Sequence, residues 1–175
     1  IVLKQWFEFH KLQAEGQDNF EIIMSILTNY TPQCLVEAYV ECPIDRLTDI
    51  SGLDPVSFAD RFYKAVRIAN VDVSRATTHN KGIFNGIDAV VLATGNDYRA
   101  IEACGHAYAA KSGQYRSLSN CILDNGIFKF SITVPLALGT VGGLTTLHPM
   151  AKRSLELLGN PSAKELMMIV AATGL

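Results

Sequence analysis

Long apolar runs are missing from this chain. None approaches the roughly 20 residues that a bilayer-crossing helix needs, although 49% of its 175 residues are hydrophobic. No signal-peptide pattern opens it. Charge is scarce as well: Asp, Glu, Lys and Arg make up 18% and the formal net charge is −2, so no field draws the chain to nucleic acid or to an anionic membrane. The basic stripe of a nucleic-acid binder is absent. Cysteine is limited to Cys34, Cys42, Cys104 and Cys121, with no C-x-x-C pair and no zinc-like His/Cys spacing. These thiols are expected to be free and buried in a reducing compartment, and no metal centre is expected. There is no G-x-S-x-G elbow, no Walker loop and no G-x-G-x-x-G fingerprint. What is present is enough apolar material for a sizeable core, unlike a disordered chain.

Helix and strand signals then follow in turn. Residues 1–12 read as an amphipathic helix with Leu3, Trp6, Phe7 and His10 on one face, and Ala14–Asn19 as a polar loop. Phe20–Leu27 and Leu35–Glu41 read as strands, the second ended by Pro43. Asp54-Pro55 opens a helix with an N-cap and a proline at its first position. Residues 70–80 read as a polar connection, Lys81–Leu92 as a buried helix and Asp97–Lys111 as another. Leu118–Leu123 and Ile127–Val134, joined by Asp124-Asn125-Gly126, form a predicted hairpin. Gly139–Gly143 is a glycine-rich loop. His148-Pro149 opens a helix that ends at Gly159, and Ser162-Ala163-Lys164-Glu165 is a capping box that opens the last one. The fold class is therefore α+β. The chain begins at Ile1 inside a helix already under way and ends without a charged last turn, so a segment of a longer protein is expected.

The candidate chemistry centres on Lys81 and Asp97. They flank one apolar segment, and a buried charge without a partner costs several kcal/mol, so the two are natural partners. Asn85 shares a helical face with Lys81. Asp97 sits where a helix N-terminus would favour it, and a plain helix cap explains it equally. Lys81 at a helix start reads either as a solvated residue or as a functional cation working against the helix dipole. Arg75 and His79 lie in the expected connection. Arg75 suits a two-pronged grip on a carboxylate or a surface salt bridge, and His79 and His106 read as structural. The Gly139–Gly143 loop could let backbone approach a substrate, or could be a simple turn.

Taken together, these segments resemble the bacterial (class II) 3-hydroxy-3-methylglutaryl-CoA reductases. The resemblance rests on Ile26–Tyr30, Arg75–Gly86, Val90–Ala103, His106–Ala109, Val134–Gly143, His148-Pro149, Ala171-Ala172 and Gly174-Leu175, and it runs in order over nearly the whole chain. It implies an enzyme that reduces HMG-CoA to mevalonate and CoA, or the reverse, by two hydride transfers with NADH or NADPH. It implies a large α/β substrate domain carrying an inserted ferredoxin-like cofactor domain. Residues 1–30 would be the tail of the small domain and 31–175 the central part of the large one. By the same resemblance Lys81 stabilises the developing oxyanion, Asp97 tunes that lysine, Arg75 and Asn85 hold the HMG group, and Asn29 lies near the nicotinamide. Gly139, Gly142 and Gly143 border the cofactor and substrate site. A cytoplasmic homodimer, or a higher oligomer of dimers, is implied, each site being completed by both subunits.

The family's catalytic glutamate, its D-A-M-G-x-N motif and its G-H-M histidine are not among the 175 residues. The isolated chain is accordingly expected to show no reductase turnover. Smaller departures are Tyr98 in place of the common Trp, and Val71–Ser74 in place of an Asp-Pro-Tyr run. A non-catalytic binding or assembly module that keeps the same fold is the alternative, and the retention of both Lys81 and Asp97 argues against it.

Overall fold

The computed structural model describes residues 23–47 and 52–175. The helix expected over residues 1–12, the loop Ala14–Asn19 and Phe20–Ile22 lie outside the described residues. The rest of the first expected strand, Ile23–Leu27, joins no ladder among the described residues and is exposed.

Among the described residues the sheet has three strands, β1 (Leu35–Pro43), β2 (Ser119–Asp124) and β3 (Ile127–Pro135), in the order β1-β3-β2 and antiparallel throughout. Val36 faces Val134 on one side of β3, and Cys121 faces Phe130 on the other. Pro43 closes β1, an edge strand, where a missing N–H breaks no ladder. The β2–β3 hairpin turns through Asn125 and Gly126 with φ of 46° and 77°. Two successive positive φ values define the tight turn that matches strand twist, and this explains the Asn-Gly pair.

The longer helices pack against this sheet. They are α1 (Pro55–Val71), α2 (Val73–Ala93), α3 (Tyr98–Ala109) and, near the end, α6 (Ala163–Gly174). Between them come the short α4 (Gly143–Leu147) and α5 (Pro149–Leu157). Phe84, Ile87 and Val91 of α2 meet Ile132 and Val134 of β3 and Leu166 and Val170 of α6 in one core. Phe62 of α1 stands edge-on to Phe128 and Phe130, with ring centroids 5.3 and 5.0 Å away. The α+β class is as expected.

The expected connection over residues 70–80 is instead helix. α2 begins at Val73, and Asp72 serves both as the last cap of α1 and the first of α2, its Oδ1 accepting from the Arg75 N–H at 2.7 Å. The residues that read as loop are satisfied within the helix or through it. Thr77 and Thr78 donate their hydroxyls back to Val73 and Ser74 carbonyls. Asn80, fully buried, donates to Arg116 O and accepts from Leu118 N–H, both at 2.9 Å. A long-range partner for a polar side chain leaves no mark in local sequence.

Two glycines hold α2 between its neighbours. A Cβ at Gly86 would collide with the backbone carbonyl of Thr173 in α6, and one at Gly105 of α3 with the Phe84 ring. Backbone contact on one side and ring contact on the other fix α2 as the central helix.

Candidate active site

α2 displays Lys81, Asn85, Asp88 and Leu92 in one row, at spacings of four, three and four residues. Lys81 and Asn85 are exposed on this face, as their four-residue separation requires. Lys81 lies in the middle of α2, not at a helix start, and makes no ion pair among the described residues. Arg75, expected in a loop, is half-buried in the first turn of the same helix. Its guanidinium helps to depress the pKa of His79, although burial contributes more. His79 Nε2 lies 2.6 Å from Ser119 Oγ, and His106 Nδ1 lies 2.8 Å from the Tyr115 hydroxyl. Both rings are therefore structural connectors, as expected.

Asp97 is the N-cap of α3. Its Oδ1 accepts from the N–H groups of Arg99 and Ala100, and the Arg99 side chain pairs with it at 3.2 Å. These bonds, the Arg99 side chain first, hold the carboxyl below its ordinary pKa and keep it ionised. Asp97 is exposed, so the expectation of two charges sealed in apolar surroundings does not hold.

Next to Asp97, the Asn96 amide grips Gly139 from both sides: Nδ2 donates to Gly139 O at 3.0 Å, and Oδ1 accepts from Gly139 N–H at 2.9 Å. This fastens the glycine loop beside the start of α3. A cleft of about 300 Å³ opens there between Leu92, Asn96, Asp97, Arg99 and Leu144. Gly142 and Gly143 have φ of 78° and 52°, and a Cβ on either, or on Gly139, would meet no atom of the chain within 4 Å. The loop therefore has a left-handed backbone that needs glycine and open space in front of it, which suits close approach of a ligand. Gly143 also opens α4, so the expected loop ends one residue early.

Lys81 and Asp97 do not meet within one chain. α2 and α3 run antiparallel, with Phe84 against Gly105 and His106, so Asp97 lies at the far end of α2. The twelve residues from Lys81 to the helix end at Ala93 span about 18 Å. A lysine and an aspartate side chain together bridge roughly half of that. Asn29 is exposed in an irregular stretch. It stands two residues before Thr31, whose N–H and hydroxyl lie 3.3 and 3.6 Å from Cys104 Sγ on α3. All four cysteines are free; Cys104 and Cys121 are buried as expected, whereas Cys34 and Cys42 are only half-buried.

The sequence profile of the hydroxymethylglutaryl-coenzyme A reductases matches residues 3–175. The chain belongs to this family. A 3-hydroxy-3-methylglutaryl-coenzyme A reductase of Archaeoglobus fulgidus is 48% identical over 112 residues, which cover 63% of this chain and 26% of that protein. Among solved structures, the class II reductase of Streptococcus pneumoniae bound to NADPH in open conformations superposes with a TM-score of 0.82 at 42% identity, over 87% of this chain and 42% of that one. A second Streptococcus pneumoniae reductase structure gives 0.82 at 42% identity, over 87% and 37%. The chain thus spans between about a quarter and two-fifths of the length of these relatives. Family membership fits the order of the segments along the chain: the α2 row, the Asn96–Asp97 corner and the glycine loop stand in one fold.

Sequence reasoning assigned no role to Asn96 or to Asp88. Asn96 has its partner 43 residues away, beyond the reach of local patterns. Asp88 does carry a local signal, a carboxylate between Ile87 and Ala89 in a mostly apolar segment.

Proposed function

We propose that this chain is the central part of an HMG-CoA reductase whose active sites form between two copies. The observation that carries this reading is the separation of Lys81 from Asp97 along α2. Family membership supplies the reaction: HMG-CoA, two NAD(P)H and two protons give mevalonate, two NAD(P)+ and CoA. NADH or NADPH supplies the hydrides when bound. Lys81, exposed and without an ion-pair partner among the described residues, sets its positive charge against the oxyanion that forms when hydride reaches the thioester carbonyl carbon. The C–S bond then breaks, CoA leaves as a thiol after taking a proton, and the resulting aldehyde accepts the second hydride. Arg75 and Asn85, on the same helix, hold the carboxylate and hydroxyl end of the HMG group. Asn29 and the Gly139, Gly142 and Gly143 backbone border the cofactor. Asp97, kept ionised by Arg99 and the α3 N-terminus, tunes the lysine of the partner subunit.

Residues 1–30 then belong to the small cofactor domain and 31–175 to the large one, in a cytoplasmic homodimer. Support for the cofactor class comes from the NADPH named for the Streptococcus pneumoniae relative.

Mixing two inactive variants of the complete polypeptide, K81A and D97A, tests the arrangement. If each site takes Lys81 from one copy and Asp97 from the other, every mixed dimer regains one intact site. An equal mixture then recovers about a quarter of wild-type activity. Zero recovery after verified subunit exchange would place both residues in one chain's site and end this reading.

A further inference from the structure

Asp88 continues the row that starts with Lys81 and Asn85, but its carboxyl is turned inward. Its Oδ1 is sealed from solvent and finds no hydrogen-bond partner. The antiparallel register that sets Phe84 against Gly105 brings Glu102 of α3 opposite Asp88 one turn further along α2. Two ionised carboxylates only accept hydrogen bonds, so neither can satisfy the other. One proton resolves the conflict by turning the contact into an O–H···O⁻ bond.

The surroundings offer no other remedy among the described residues. On α3, Arg99 is engaged by Asp97 and His106 by Tyr115. On α2 itself, Lys81 lies two turns away. On α1, Lys64 pairs with Asp60; on α5, Arg153 pairs with Glu156; on α6, Glu165 closes the capping box. Arg61 and Arg67 of α1, Lys152 of α5 and Lys164 of α6 are not among the groups that act on Asp88. Burial first, then the nearby charge of Glu102, push Asp88 up to about 6, and no cation among the described residues opposes them.

We propose that Asp88 and Glu102 hold a single proton between them, joining α2 to α3 directly behind Asn85, and that this shared proton positions the Asn85–Lys81 row for substrate. The second half rests on the proposed function; the first stands on the helix pair alone. Asp88 and Glu102 are positioning residues, acting on substrate only through the Asn85–Lys81 row.

The sign of the pH effect follows from linkage. A carboxyl whose folded pKa lies above its unfolded value gives stability that is complete below the unfolded value and lost as pH rises through the folded one. For Asp88 that window runs from the ordinary aspartate value of 3.8 to about 6.

The experiment compares wild type, Asp88→Asn and Glu102→Gln in the complete polypeptide, measuring Tm and the KM for HMG-CoA across this window and up to about pH 8. The expected result is a wild-type Tm that falls as pH rises through the window, with KM rising in parallel. In both variants, where an amide donates permanently in place of the proton, Tm and KM lose that slope, and Tm above the window equals or exceeds that of wild type. A variant Tm profile running parallel to the wild-type one overturns the shared proton. A flattened Tm profile with an unchanged pH dependence of KM overturns the positioning role and leaves the pair standing. Because Tm needs no turnover, failure of the reductase reading cannot be mistaken for failure of the pair.

Discussion

Asn96 carries more of the candidate site than its position beside a charged neighbour suggests. It offers one donor and one acceptor to the same backbone unit, Gly139, and so fixes the glycine loop without restricting what stands in front of it. Asn96→Ala removes both bonds and leaves a part-buried N–H and C=O to find water. The expected cost is about 1–3 kcal/mol in a denaturant titration, together with a raised KM for the cofactor. Asn96→Asp keeps the acceptor but loses the donor, and should fall between the two. At this scale the sequence was only partly readable. The caps Asp54, Asp97 and Ser162 act through neighbours two or three residues away, and short-range rules reach that far. The Asn96–Gly139 grip and the Asn80 bridge to Arg116 and Leu118 join distant positions, as does the proposed Asp88–Glu102 pair, and no local pattern announces them.

Among the elements, α2 decides the arrangement. Its first two turns hold Ser74, Arg75, Thr77, Thr78, His79 and Asn80, a composition that resembles a loop because these side chains compete with the backbone for hydrogen bonds. Here they lose that competition. Two hydroxyls bond back along the helix, His79 reaches Ser119, and Asn80 is taken by the segment between α3 and β2. The misread span of residues 70–80 shows tertiary partners overriding propensity. The hairpin and the last two long-range-independent helix starts, at His148-Pro149 and Ser162, were legible because turn and cap chemistry is local. Gly86 tests how firmly α2 is seated. A methyl group there meets the Thr173 carbonyl, so Gly86→Ala should destabilise by about 1–3 kcal/mol, despite the better helix propensity of alanine. Gly82 has open space on the same helix, and Gly82→Ala should stabilise slightly. Thermal melts of the two variants should therefore move in opposite directions.

At the scale of the molecule, α2 is a rigid spacer of about 18 Å between the two ends of the proposed chemistry. Its length has a genetic consequence. If Lys81 serves one site of a dimer and Asp97 the other, a chain that lacks both spoils both sites of any normal partner. The doubly substituted K81A/D97A chain should then act as a dominant inhibitor: mixed in equal amount with wild type, it should leave about a quarter of the activity of the same total amount of wild-type chain, whereas self-contained sites would leave about half. Single substitutions at the two positions should behave as complementing alleles. The distance between two residues on one helix thus sets whether damage to this protein is masked or spread by its partner.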